Sequence, residues 1–236
     1  MRTDGRRPDE LRPVSFQRHF TRSTPGSVLV AFGGTKVLCT ASLEAKVPPW
    51  LRDSGKGWVT AEYAMLPGSA KERIHRDANK KGRALEISRL IRRSLRAVVD
   101  LEGLAEQMIT LDCDVLQADG GTRTAAICGA YVALHDAVTA LLEAGTIATS
   151  PLLSPCAAVS VGLIGGEALL DLCYEEDVVA GVDMNVVMNG DGALIEVQGC
   201  AEGEPFTRDQ MNQMLDLAGG GIAHIVQAQK EALNHG

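Results

Sequence analysis

Two arginines, a double-glycine bend and a pair of aspartates are the residues of this chain whose types and spacing could do chemistry. The bend is Asp119-Gly120-Gly121, followed by Thr122 and Arg123. Before it, Leu111, Cys113 and Val115 alternate with more polar neighbours, the period of a strand. After it, Ile127, Tyr131, Leu134, Val138 and Leu141 recur at three- and four-residue steps, the period of a helix. Two adjacent glycines permit backbone angles that side chains forbid. A strand, a glycine bend and a helix start leave free N–H groups at the partly positive end of the helix, which is an anion site. Thr122 adds a hydroxyl donor and Arg123 a planar guanidinium suited to a tetrahedral oxyanion. No Lys-Ser/Thr follows at P-loop spacing, and three spaced glycines of a dinucleotide fingerprint are missing. The local signal therefore specifies a phosphate-like anion and no more, and a buried helix capped by Thr122 or Thr124 beside a solvated Arg123 is the alternative that it leaves open.

The aspartates come later. Tyr174-Glu175-Glu176-Asp177 is followed six residues on by Asp183. Asp177 would end one segment and Asp183 open the next strand, bringing both carboxylates together. Hard divalent cations such as Mg²⁺ take carboxylate oxygens and keep much of their water, so two carboxylates near a phosphate suffice. A solvated acidic turn is the alternative that these residues leave open.

Net charge is −7, but it is unevenly spread. Residues 71–96 hold ten Lys/Arg against three Asp/Glu; from 97 onward there are three against twenty-one. A basic block on an acidic chain is what a localised polyanion contact needs. The opening residues carry no apolar run, and no 18-residue apolar stretch suggests a bilayer span. Six dispersed cysteines form no CxxC and read as buried thiols of a reducing cytoplasm.

The elements that must position these groups follow from pattern. Residues 1–22 are arginine-rich and read as an irregular lead. Runs 26–33 and 35–43 form a hairpin across Gly33-Gly34, and 58–66 is a third strand. Three strands before any helix favour antiparallel sheet over repeated βαβ units. Segment 67–83, apolar only at Ile74, is either mobile or functional, and its charge favours a loop closing around a polyanion. An amphipathic helix spans 84–99, with Arg83 at its entrance and Glu86 paired with Arg89. The second half restarts with strands at 157–164, 167–172, 182–188 and 194–198. A last helix begins at Thr207 with a Thr207/Gln210 capping box, and Gly219–Gly221 predicts a kink or a close packing contact. The fold class is α+β in two sheet-plus-helix halves, 1–145 and 156–236, joined by a Thr/Ser/Pro connector.

Taken together, these stretches resemble the ribonuclease PH family of phosphorolytic exoribonucleases. The resemblance runs through MRTDGR at 1–6, GSVLVAFGGTKVLCTAS at 26–42 and GKGWVTAEYAMLP at 55–67. It continues through GRALEISRLIRRSLRAVVD at 82–100, DCDVLQADGGTRTA at 112–125, YEEDVVAGVDMNVVM at 174–188 and QGCAEGEPFTR at 198–208. It implies a core like domain 2 of ribosomal protein S5, and 3′→5′ trimming of tRNA 3′ ends with release of nucleoside 5′-diphosphates. It also implies inorganic phosphate as co-substrate, Mg²⁺ or Mn²⁺ as metal, a cytoplasmic setting away from membranes and a homohexameric ring built as a trimer of dimers. Arg83, Gly121, Thr122 and Arg123 map onto the family's phosphate site, Asp177 and Asp183 onto its carboxylate pair. Arg83 and Arg123 join that pair as catalytic residues, and Arg73 and Arg76 match its RNA loop. The chain departs from the pattern at Gly68, where the loop usually has arginine. It departs again at Arg92, where glycine is usual, and at Gly181, where an acid is common; the stretch before Arg83 is also a few residues short.

Overall fold

The protein is described by a computed structural model covering residues 2–80 and 82–234. Its first sheet contains β1 (Val14–Arg18), β2 (Gly26–Phe32), β3 (Thr35–Glu44), β4 (Trp58–Met65) and β5 (Met108–Gln117), in the order β1-β2-β3-β5-β4. One face carries Val28, Val30 and Phe32, then Val37, Cys39 and Ala41, then Ile109, Leu111, Cys113 and Val115, all buried. That strict alternation drives the pairing. The expected hairpin is present, with Phe32 opposite Thr35.

The expected antiparallel sheet is present except at one pairing. β5 inserts between β3 and β4, antiparallel to the first and parallel to the second. Helix α1 (Arg83–Arg96) makes the crossover, so one βαβ unit sits inside the sheet. The second sheet is antiparallel throughout: β6 (Cys156–Ile164), β7 (Glu167–Leu170), β8 (Val182–Asn189) and β9 (Leu194–Ala201), in the order β7-β6-β8-β9. A one-turn helix, α3 (Tyr174–Asp177), lies between β7 and β8.

Helix α2 (Thr122–Glu143) packs on β2, β3 and β5 from one side and on β6 from the other. It is buried around nearly its whole circumference, which is why its sequence is apolar on every face. Contrary to the expectation from sequence, α2 is long and apolar enough by length and composition to cross a bilayer, but it is spent inside the protein between two sheets. Small residues let the layers close: a Cβ on Gly129 would lie 2.5 Å from Val30 Cγ1. Buried side chains of both sheets, α1, α2 and α4 form one continuous cluster.

Helix α4 (Arg208–Asn234) is uninterrupted. Its capping box is as expected, with Thr207 N–H on Gln210 Oε1 at 2.8 Å and Gln210 N–H on Thr207 Oγ1 at 3.2 Å. Of the three glycines, Gly221 makes the close contact, where a Cβ would meet Leu170 Cδ1 at 2.8 Å. Five cysteines are buried and Cys200 is exposed.

The far end of α4 is fastened to α2 by charge. Arg18 pairs with Asp136 at 2.8 Å and donates to the carbonyls of Ala232 and Leu233. His135 beside them has its pKa held below 6.5 by burial, helped by Arg18 and opposed by Asp136. The unfolded chain therefore takes up this proton more readily than the folded one, so stability is full above about 6.5 and falls as pH drops through that value. Urea unfolding should show stability declining between about pH 7.5 and about pH 5.5. His135→Asn should flatten that decline; identical slopes in the two proteins would contradict the assignment.

Candidate active site

The double-glycine bend is a tight piece of backbone. Gly120 and Gly121 both have positive φ, 74° and 63°, and Gly121 is the N-cap of α2. The bend's carbonyls are drawn inward. Arg12 donates to the carbonyls of Asp119 and Gly120, and Thr35 Oγ1 donates to Gly120 O at 2.6 Å. Asp119 N–H in turn bonds Thr35 Oγ1 at 2.9 Å. The first intrahelical bond is Ala125 N–H to Gly121 O, leaving the amides of Thr122, Arg123 and Thr124 without intrahelical acceptors at the mouth of α2. Free amides at a helix start after a double-glycine bend are the backbone geometry expected from the sequence.

The acidic segment is pressed against the same bend. A Cβ on Gly120 would lie 2.5 Å from Leu172 O and 2.7 Å from the Cys173 carbonyl carbon, so glycine is required for the approach. Glu176 points away from the mouth into an arginine clamp: Arg2 binds both its oxygens, at 2.7 and 2.8 Å, and Arg6 approaches at 3.4 Å. That clamp leaves Asp177, the next residue, at the end of α3, and Asp183 at the second position of β8.

Arg83, Arg123, Asp177 and Asp183 share one electrostatic field. The Asp183 carboxyl is raised above its usual range by burial and by the charge of Asp177, against the pull of Arg123 and Arg83. Burial also raises Asp177, again opposed by Arg83 and Arg123. Four site residues expected from sequence, on α1, α2, α3 and β8, thus lie within electrostatic reach of one another. Arg123 is mostly buried and reaches Gln198 Oε1 at 3.3 Å and Glu86 Oε1 at 3.4 Å. The expected Glu86–Arg89 pairing is therefore corrected: Glu86 turns across to α2. Thr122 Oγ1 accepts a hydrogen bond from the Tyr63 hydroxyl at 2.8 Å.

The basic segment is rooted beside this mouth. Ala118 N–H bonds Ser69 O at 2.7 Å, and the Asn79 side chain pairs with both backbone groups of Met65 at 3.0 Å. A 3₁₀ turn, Arg76–Lys80, ends it. Arg73 and Arg76 are exposed, and Gly68 lies in open space.

Family models of the 3′ exoribonuclease family match this chain at residues 10–140 (domain 1) and 154–221 (domain 2). The chain belongs to the 3′ exoribonuclease family. Relatives include ribonuclease PH of a Synechococcus species, 58% identical over 99% of this chain and 97% of its own. Ribonuclease PH of Corynebacterium efficiens is 59% identical over 98% and 96%. Among solved structures, rice Rrp46 superposes with a TM-score of 0.79 at 20% identity over 98% of this chain and 100% of that one. An Archaeoglobus fulgidus exosome with RNA bound to the active site gives 0.81 at 21% identity, covering 96% and 91%. The α+β architecture of two sheets and helices is thus shared with solved structures that have little sequence in common with this chain.

Sequence reasoning did not identify Arg12, Tyr63 or Gln198 as parts of this candidate site. Their only sequence signal lay in position: Arg12 within an arginine-rich opening, Tyr63 on the inward phase of a strand, Gln198 at the end of one. The bend itself supplies a test. Gly120→Ala should cost roughly 1–3 kcal/mol of stability from its positive φ and its contact with backbone. Gly181→Ala, whose Cβ would meet nothing closer than 3.7 Å, should be tolerated. Equal urea midpoints for the two variants would overturn the packing argument.

Proposed function

We propose that this chain is a phosphate-dependent 3′→5′ exoribonuclease that trims the 3′ ends of tRNA precursors, releasing nucleoside 5′-diphosphates. The observation carrying the reading is the mouth of α2, where the amides of Thr122, Arg123 and Thr124 have no intrahelical acceptor and the charges of Arg83 and Arg123 act on Asp177 and Asp183.

Orthophosphate is the nucleophile in this reading. Donors on several sides fix its orientation, so one oxygen is aimed in line at the terminal phosphodiester. The two arginines screen the repulsion between nucleophile and substrate, both of them anions. Phosphoryl transfer asks chiefly for such positioning and neutralisation. A phosphodiester is exchanged for an anhydride, so the step runs in either direction.

The aspartate pair fits a divalent cation. Two hard oxygen donors lie in one field, and the half-buried Asp183 carboxyl is raised by desolvation and by the charge of Asp177, a cost that a cation would relieve. Among the described residues no group of three or more His, Cys, Asp or Glu side chains is arranged for a metal, so water and phosphate oxygens would complete the shell, which suits Mg²⁺ or Mn²⁺. Held by Asp177 and Asp183, the ion would supply positive charge for the leaving 3′ oxygen.

RNA is held along its backbone by Arg73, Arg76 and their basic neighbours, without base reading, because successive nucleotides must all be accepted. We place the chain in a homohexameric ring, a trimer of dimers; exposed Trp50, Leu153, Val178 and Val179 supply apolar surface for such assembly. We also place it in the cytoplasm, where buried thiols such as Cys39, Cys113 and Cys128 stay reduced.

Removing Arg123 tests the central reading. Arg123→Ala should lower phosphate-dependent diphosphate release by roughly a hundredfold or more. Wild-type protein that shortens RNA equally well without phosphate, yielding monophosphates, would sink it. The RNA contact has a separate test: replacing Arg73 and Arg76 with alanine should reduce the slope of log affinity against log salt by roughly 1.4, for two lost phosphate contacts on a single strand. An unchanged slope would exclude these arginines from the RNA path.

A further inference from the structure

Tyr63 is a buried tyrosine, 4% exposed, on the edge strand β4, and its position joins the two helices that carry the phosphate arginines. Its backbone N–H bonds Ser88 Oγ at 3.0 Å, and Ser88 Oγ donates to Ala84 O at 2.9 Å, in the first turn of α1 directly after Arg83. Its hydroxyl donates to Thr122 Oγ1 at 2.8 Å, at the first residue of α2. Thr122 is itself only 7% exposed.

The direction of that last bond has a consequence for Thr122. A threonine hydroxyl has one proton and two lone pairs, and its proton rotates to suit its surroundings. When Tyr63 fills a lone pair, the Thr122 proton must point elsewhere. At the first position of a helix there is no preceding turn to receive it. Among the described residues no protein acceptor takes this proton, and the remaining direction is the space in front of the α2 amides.

We propose that Tyr63 is a positioning residue for phosphate, which aims the Thr122 hydroxyl proton into the mouth of α2. This rests on the reading of that mouth as the phosphate site. The phenol touches neither phosphate nor RNA; it fixes the rotor of the group that does. Because its backbone N–H is also tied to the start of α1, the same residue links the two helix ends. Burial raises the Tyr63 pKa, so the phenol keeps its proton and stays a donor at neutral pH.

The test is a double-mutant cycle on the full chain, with Tyr63→Phe, Thr122→Val and both together. Phosphate KM, RNA KM, kcat and melting temperature would be read for each. Tyr63→Phe should raise the KM for phosphate about three- to tenfold, the loss of one neutral hydrogen bond, with the RNA KM unchanged. In the Thr122→Val background the same change should have no further effect on phosphate. A Tyr63→Phe defect that persists undiminished in that background, or that raises both KM values together, would overturn the proposal, since the tyrosine would then act only through packing. If Thr122→Val itself leaves the phosphate KM unchanged, the reading of the mouth fails first. Stabilisation of the melting temperature by phosphate gives a second readout that needs no turnover.

Discussion

The guanidinium of Arg12 and the carboxylate of Asp171 form the contact on which the rest of the site depends. Arg12 reaches both oxygens of Asp171, at 2.9 and 2.7 Å, and its backbone N–H adds a third bond to the same carboxylate at 2.9 Å. Both side chains are removed from water, Asp171 completely. Desolvating two charges is expensive, and breaking such a pair by removing one partner typically costs about 3–5 kcal/mol. What the arrangement secures is geometry. The same guanidinium holds the carbonyls of Asp119 and Gly120, while Asp171 lies just past β7 in the segment that leads to α3. One cation thereby fixes the double-glycine bend against the strand end from which the acidic segment departs. Arg2 and Arg6 extend the clamp through Glu176, one residue before Asp177.

The clamp allows the two kinds of charge in the mouth to be kept apart although they lie close together. Were Glu176 free, three adjacent carboxylates would crowd α3 beside Asp183. Arg2 takes one of them out of the field, and its pKa is held low despite burial because the guanidinium stabilises the charged form. Asp177 and Asp183 are left facing Arg83 and Arg123, with burial raising both acids. An arginine fully satisfied by these acids would have little left for an incoming anion. Arg123 instead makes long contacts, 3.3 and 3.4 Å, to Gln198 and Glu86, which orient it without saturating its five donors. Glu196 completes the scaffold by receiving Gln198 at 2.9 Å and Arg93 at 2.6 Å.

What could be read from sequence was set by how local the controlling interaction is. The double-glycine bend, the helix after it and the Thr207 cap are decided by residues within a few positions of one another, and each stands where its pattern placed it. Pairing of β4 with β5 is not local: it depends on α1 folding back across the sheet, and the strand patterns alone are equally consistent with a meander. The opening arginines were opaque for the same reason. Arg2 finds Glu176 across 174 residues and Arg12 finds Asp171 across 159, so a run that looks like a solvated lead is in fact the clamp. Glu86 shows a helix rule losing to a tertiary one. A partner three positions along the helix is worth a few tenths of a kcal/mol, and the guanidinium of Arg123 at a partly buried mouth offers more. Tyr63 gave no signal, because nothing in an alternating strand distinguishes a buried tyrosine that packs from one that also donates.

Arg92 shows how a departure from the family pattern can be absorbed without disturbing the chemistry. β4 is the edge of its sheet, with carbonyls that find no neighbouring strand. Arg92 Nε donates to Ala61 O at 2.6 Å, and one turn later Arg96 donates to Val59 O at 3.0 Å while its guanidinium stacks 4.4 Å over Trp58. The two arginines thus satisfy alternate carbonyls along the open edge, in step with the pleat of β4. Their stems cross from α1 to the sheet edge and bind the helix along its length. The first residue of that helix is Arg83, so Arg92 and Arg96 together help fix the helix that Arg83 opens. An arginine here acts as structure rather than as a ligand contact, and the basic block at 71–96 is accordingly divided. Its loop, with Arg73 and Arg76, is exposed, while Arg92 and Arg96 are committed to the sheet.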